Sequence, residues 1–190
     1  MLYPGKINKT YKRTVNYKNR GLDLENLINL TNEYYLQNDI AVIYKKPTPI
    51  TVSKVDYKHN KVTEGYYKTL STLDYNGIYK GKYIDFDAKE TKNKTSFPLA
   101  NIHAHQIKHI EKILKHGGIS FIILKMNNNY YYLKGEDLIE FINSSNRKSI
   151  PFEYIERNCI QIKEGFVPAL DYLKIIDKLY LGGNYEKANT

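Results

Sequence analysis

The chain has 190 residues, enough for one domain with a sizeable core. Its formal net charge of +9 and pI of about 9.3 favour a polyanionic partner, either nucleic acid or an anionic membrane surface. No stretch approaches the roughly 20 apolar residues of a membrane span, no apolar signal core opens the chain, and the single cysteine, Cys159, excludes an internal disulfide and a multi-cysteine zinc site. That combination suits the reducing cytoplasm.

Residues 1–20 carry Lys6, Lys9, Lys12, Arg13, Lys18 and Arg20 with no acid and no apolar period. They read as a mobile basic arm able to touch phosphates, ahead of a single domain over 21–182 and a tail at 183–190. Leu24, Leu27, Ile28, Thr31 and Tyr35 recur at helical spacing behind Asp23, a plausible cap. Residues 40–44 are expected to form a short buried strand. From 45 to about 70, Pro47 and Pro49 break any central strand. The alternation then suggests two extended stretches reversing near His59-Asn60. Lys45, Lys46, Lys54, Lys58, Lys61 and Lys68 are opposed there only by Asp56 and Glu64. A basic two-stranded ribbon projecting from the body fits this better than a core hairpin. Tyr66 and Tyr67 either stack on exposed bases or pack within the ribbon.

Asn76-Gly77 and Gly81-Lys82 are turn signals flanking Ile78-Tyr79-Lys80. Lys92, Lys94, Thr95 and Ser96 make a polar loop suited to phosphate contact. A helix is expected from Leu99 to Lys115, with Gln106 set in an apolar stripe of Ile102, Ile110 and Ile113. A buried amide there needs a partner. The helix stops at Gly117-Gly118. Residues 119–124 form the most apolar run, a central strand, followed by a turn at 127–129 and a partner strand at 130–133. Helices are expected at 136–143 and from Pro168 to Leu181. Residues 144–166 carry no clear period.

The chemistry concentrates in one constellation: Asp74, then Asp87-Ala88-Lys89 after a 12-residue gap. In residues 83–89 the side chains alternate strictly. Ile84, Phe86 and Ala88 fall on one face, Asp85, Asp87 and Lys89 on the other. Carboxylates and an ammonium presented together can hold a divalent metal and stabilise an anionic transition state. A solvated strand face produces the same triplet by chance, so the triplet alone does not decide. His105 and His109 share a helix face, but no cysteine or carboxylate pattern completes a zinc site and HExxH is absent. GxxxxGK[ST] and GxSxG are absent too.

The text around the triplet carries more. Residues 71–77, reading STLDYNG, and 81–99, reading GKYIDFDAKETKNKTSFPL, closely resemble the RecU-type Holliday junction resolvases of the PD-(D/E)xK, restriction-endonuclease-like superfamily. Asn19-Arg20-Gly21, Lys45-Lys46-Pro47-Thr48-Pro49, Lys115-His116-Gly117-Gly118 and Leu170-Asp171-Tyr172-Leu173 resemble that family as well, from about residue 19 to 177. The resemblance implies an α/β fold with a central mixed sheet flanked by helices and a protruding basic stalk at about 45–70. It implies a magnesium-dependent endonuclease, with manganese as a substitute, that resolves four-way DNA junctions by paired nicks. It further implies a homodimer, with branch-migration and strand-exchange proteins as partners and no membrane. Carried over residue by residue, it assigns Asp74, Asp87 and Lys89 to catalysis and Thr72, Asp74, Asp87 and Gln106 to the metal. Asp85 and Glu25 are secondary candidates. Arg20, Lys45, Lys46, Lys54, Lys58, Lys61, Tyr66, Lys68, Lys92 and Lys94 are candidates for DNA contact. One position departs from the pattern. The family usually has Glu where this chain has Asp87, an arm shorter by one methylene, about 1.5 Å. Two other functions stay open: a catalytically impaired, structure-selective DNA-binding protein and a restriction-type duplex nuclease.

Overall fold

A six-stranded mixed sheet organises the molecule, which is described over residues 23–67 and 72–182 by a computed structural model. The expected arm with Arg20, the ribbon residue Lys68 and the tail from 183 lie outside the described residues.

Helix α1 (Leu24–Gln37) starts where Asp23 accepts a hydrogen bond from the Asn26 N–H at 2.8 Å, and its buried face is the predicted stripe. Strand β1 (Val42–Lys45) follows. Among the described residues it is an edge strand with a neighbour on one side only. Val42 and Tyr44 are therefore exposed and Ile43 alone is buried, which corrects the fully buried strand expected here. The chain then leaves the body as β2 (Ile50–Asp56) and β3 (Lys61–Tyr67), which among the described residues pair antiparallel with each other alone. Every ribbon residue of the two strands is exposed except the half-buried Asp56. The projecting stalk expected from the charge pattern is present.

Strand β4 (Tyr75–Tyr79) pairs with β1 and then with β5 (Lys82–Glu90), both antiparallel. Asn76-Gly77, expected as a turn, lies inside β4. Glycine is required at 77 because β1 passes so close: a Cβ there would sit 2.1 Å from the Val42 carbonyl oxygen and 2.6 Å from Ile43 Cα. The reversal falls at Lys80-Gly81, with φ of 46° and 76°, the left-handed pair that a two-residue hairpin favours.

After a short β6 (Ser96–Pro98), the helix expected from Leu99 divides into a 3-10 turn (Leu99–Asn101) and α2 (Ala104–Lys115). The break comes at His103, whose carbonyl accepts from the Gln106 N–H at 2.9 Å while its own N–H donates to Gln106 Oε1 at 3.0 Å. Strand β7 (Ile119–Met126) runs parallel to β5, so β5–α2–β7 is a crossover unit. Strand β8 (Asn129–Lys134) turns back through Asn127 and Asn128, both at positive φ. Next come α3 (Gly135–Ser144), β9 (Ser149–Pro151) on β6, α4 (Phe152–Asn158) and β10 (Ile160–Ile162) on β8. Helix α5 (Leu173–Tyr180) begins later than its sequence signal at Pro168. Residues 164–170 instead form a bridge between Glu164 and Leu170, and the Leu170 N–H is held by Thr31 Oγ1 at 3.0 Å.

The sheet order is β1-β4-β5-β7-β8-β10. Residues of α1 and α5 pack on one face with Ile84, Phe86 and Phe121; residues of α2, α3 and α4 pack on the other with Ile122, Leu124 and Leu133. On the α1 face Tyr75, Phe86, Phe121 and Tyr132 stack in succession across β4, β5, β7 and β8. Their centroids are 4.8, 4.6 and 4.3 Å apart. This is the predicted central mixed sheet flanked by helices.

Candidate active site

The strict alternation of β5 decides what the α2 face carries. Ile84 and Phe86 lock into the α1 core, which turns Asp85, Asp87 and Lys89 towards α2. In register on β7 they lie beside Ser120, Ile122 and Leu124. Asp74 comes from the bend that precedes β4, and its carbonyl accepts from the Lys46 N–H at 2.7 Å. Thr72, half-buried, precedes it by two residues.

Asp87 is fully buried and held from three sides. Lys89 Nζ lies 2.9 Å from Oδ2, the Gln106 amide donates to Oδ2 at 2.6 Å, and the Ala88 N–H donates to Oδ1 at 2.7 Å. Burial pushes the Asp87 carboxyl up to about 6; the Lys89 ammonium opposes this and the Asp74 carboxylate adds to it. Asp74 and Asp87 therefore sit close enough to repel each other. Gln106, the polar residue in the apolar stripe, is buried as expected and reaches the site through Asp87, while its oxygen caps α2.

Asp85 forms a second cluster beside the first. It is fully buried, with Lys46 Nζ at 2.8 Å, the Tyr83 hydroxyl at 2.7 Å and His109 Nε2 at 3.3 Å, all on Oδ2. Three partners on one oxygen give Asp85 a structural setting different from that of Asp87. Tyr83, His109 and the pairing of Lys46 escaped the sequence reading. His109 sits three residues after Gln106 on α2, and that spacing was the available signal. Glu25 is exposed and ion-paired with Lys45, at the rim of the site. With Asp74 and Asp87 it helps push the Tyr75 hydroxyl up, after burial, so these acids share one neighbourhood.

The candidates for DNA contact divide into groups. Lys45 and Lys46 are paired at the base of the stalk, Lys54 pairs with Glu64 at 2.7 Å, Lys58 lies in the hairpin turn and Lys61 directly after it. Tyr66 is exposed, and so is Tyr57 at the turn, which the sequence reading passed over. Lys92 and Lys94, with Lys125 and Asn128, line an open cavity of about 390 Å³ just beyond Lys89 on β5.

The donor set suits a hard divalent cation. It offers two crowded carboxylates, whose mutual repulsion a cation relieves, and Thr72 stands two residues before the first of them. Among the described residues no group of three or more His, Cys, Asp or Glu forms a closed metal site. Cys159 is buried, and burial pushes its thiol up to about 12, which leaves it an unreactive core thiol. No helix among the described residues is long and apolar enough to cross a membrane.

Comparison with known proteins places the sequence. The Holliday junction resolvase RecU of Geobacillus kaustophilus is 49% identical over 183 residues, covering 92% of each chain. The protein of the same name from Geobacillus sp. strain WCH70 is 51% identical over 173 residues, covering 87% of this chain and 86% of its own. That of Leuconostoc mesenteroides is 49% identical over 180 residues, covering 92% and 88%. Among solved structures, the Holliday junction resolvase Hjc of Archaeoglobus fulgidus superposes with a TM-score of 0.39 at 9% identity, over 66% of this chain and 86% of that one, too distant to carry weight. The profile of the family described as Recombination protein U matches residues 19–178, and with relatives near half identity along nearly the whole chain, this protein belongs to the RecU family.

Proposed function

We propose that this chain is a Holliday junction resolvase, a divalent-metal-dependent endonuclease that nicks four-way DNA junctions in recombination and repair. The observation that carries the reading is the gathering of Asp74, Lys89 and Gln106 around the buried Asp87, on a chain whose near-identical-length relatives bear that name. Asp74, Asp87 and Thr72 would hold the ion, magnesium by preference and manganese as a substitute, because hard oxygen donors few in number suit both. Such an ion, when bound, supplies a Lewis acid and lowers the pKa of a coordinated water.

The protein's own groups have separable tasks. Lys89 places a positive charge beside Asp87, where it neutralises charge growing on the scissile phosphate. Gln106 and the Ala88 N–H fix the two oxygens of Asp87, so the carboxylate does not rotate when DNA arrives. Lys92 and Lys94 lie at the end of the same strand, placed to take neighbouring phosphates. The stalk, with Lys54, Lys58 and Lys61 along it and Tyr57 and Tyr66 exposed, would enter the open centre of the junction. A two-fold homodimer would set two such sites on two like strands and give paired nicks. Branch-migration and strand-exchange proteins are the partners such an activity needs, and a cytoplasmic location follows from the DNA substrate.

The test uses labelled four-way junction, linear duplex and single strand, each with magnesium, with manganese and with EDTA. The expected result is metal-dependent paired nicking of the junction alone. Cleavage of linear duplex at an equal rate would indicate a restriction-type nuclease, and tight junction binding without nicking in either metal would indicate a binding protein.

A further inference from the structure

Both ends of the stalk are rooted in the candidate active site. It leaves the sheet through Lys45 and Lys46 and returns through Thr72 to Asp74. Between those ends Lys45 is in register with Tyr75, and the Lys46 N–H donates to the Asp74 carbonyl at 2.7 Å. The Lys46 side chain runs to β5, where its ammonium meets Asp85 at 2.8 Å. One residue thus touches the bend that carries Asp74 with its backbone and the strand that carries Asp87 with its side chain. It is followed at once by Pro47-Thr48-Pro49, a connector stiffened by two fixed φ angles.

Stability does not account for this cluster. Asp85 is fully buried, its Oδ1 has no partner, and Ser120 Oγ beside it on β7 has none either. An orphaned buried oxygen is costly, and buried ion pairs are often replaceable by apolar groups without loss of stability. The position of the cluster supplies the reason that stability does not. Resting on the resolvase reading above, we infer that Lys46 and Asp85 form a positioning pair that ties the stalk to the catalytic strand, so that seating the stalk in a four-way junction sets Asp74 against Asp87. Tyr83 and His109 hold Asp85 from the two other sides and keep the β5 end of the link fixed. Junction shape is then read in the cleavage step as well as in binding.

The experiment compares the full-length wild type with K46M, K46R, D85N and the K46M/D85N double variant on labelled junction with magnesium. Three quantities are read: single-turnover nicking at saturating enzyme, gel-shift affinity at one salt concentration, and melting temperature. Each of K46M and D85N is expected to lower saturating nicking about tenfold or more, since small misplacements of reacting groups cost that much, while affinity stays within about threefold. K46R should recover most of the rate. The double variant, with no unpaired buried charge, should melt at the wild-type temperature or above and still nick slowly. Recovery of rate together with melting temperature in the double variant would make the pair merely structural and overturn the inference. So would a K46M protein that binds weakly and nicks at the wild-type rate once saturated, because Lys46 would then be a phosphate contact only. Asp74→Asn run alongside tests the underlying site: if it nicks normally, the resolvase site itself is lost, whatever the Lys46 variants do.

Discussion

Replacing Asp87 by Asn is expected to stabilise the metal-free protein at neutral pH while abolishing cleavage. The carboxyl rises from 3.8 to about 6 on folding, chiefly through burial. A carboxyl with a raised folded-state pKa binds its proton more tightly folded than unfolded. Stability is therefore highest below 3.8 and falls as pH rises through about 6. By pH 7.5 that difference amounts to about 3 kcal/mol of lost stability. The attraction of Lys89 is already contained in this value, because Lys89 is unpaired beside either a protonated Asp or an Asn. Against the gain stands the new Asn amide, which must face the Gln106 or Ala88 donor and costs about 1 kcal/mol. A net gain of about 2 kcal/mol remains at pH 7.5, or about 4–8 °C in melting temperature for a domain of this size. At pH 4.5 the variant and wild type should be about equal, since only about 1 kcal/mol has then been lost. Urea unfolding of both proteins in EDTA, followed by circular dichroism across this range, measures the gap. A gap that does not widen with pH, or a variant less stable than wild type at pH 7.5, would refute a buried, repelled Asp87.

Further outcomes follow from the same geometry. Asp74→Asn should stop nicking and keep or raise junction affinity, because it removes the proposed metal ligand and a negative charge near DNA; gel shift and nicking read together check this. Asp87→Glu restores the residue usual in the family and should remain active with an altered magnesium-to-manganese activity ratio, whereas Asp87→Asn should be inactive with either ion. Active Asp87→Asn beside metal-unresponsive Asp85→Asn would transfer the ligand role to Asp85. Changing Lys54, Lys58 and Lys61 together to Ala should reduce the affinity ratio of junction to duplex at fixed salt and flatten the salt dependence by about two to three. Most of that loss is expected from Lys58 and Lys61, since Lys54 is held by Glu64.

What the sequence disclosed and what it concealed divide by reach along the chain. The α1 stripe, the two faces of β5 and the polar Gln106 in an apolar stripe are short-range periodicities, and each stands where its spacing put it. The stalk was legible for a related reason: charge and proline with no core period leave a ribbon nothing to pack against. The Lys46–Asp85–His109 contacts join positions 39 and 24 residues apart, which no local pattern encodes. Asn76-Gly77 misled because a hairpin signal and a close strand crossing ask for the same small residue, and only the neighbouring β1 backbone separates them. The late start of α5 has the same origin, since the Leu170 N–H is claimed by Thr31, 139 residues away.

The row of stacked rings from Tyr75 to Tyr132 gives β5 a fixed datum. Phe86 is clamped between two rings, nearly parallel to both at 9° and 7°, and adjoins Asp87 in the chain. Sliding β5 to compensate for a shorter side chain would break ring contacts on both sides at once. The backbone at 87 is thus a calliper jaw that does not travel, and the gap to Asp74 is set by side-chain length. If Asp87 holds the ion as proposed above, a change of one methylene at that position would change the size of cation the site accepts, with no adjustment elsewhere in the sheet.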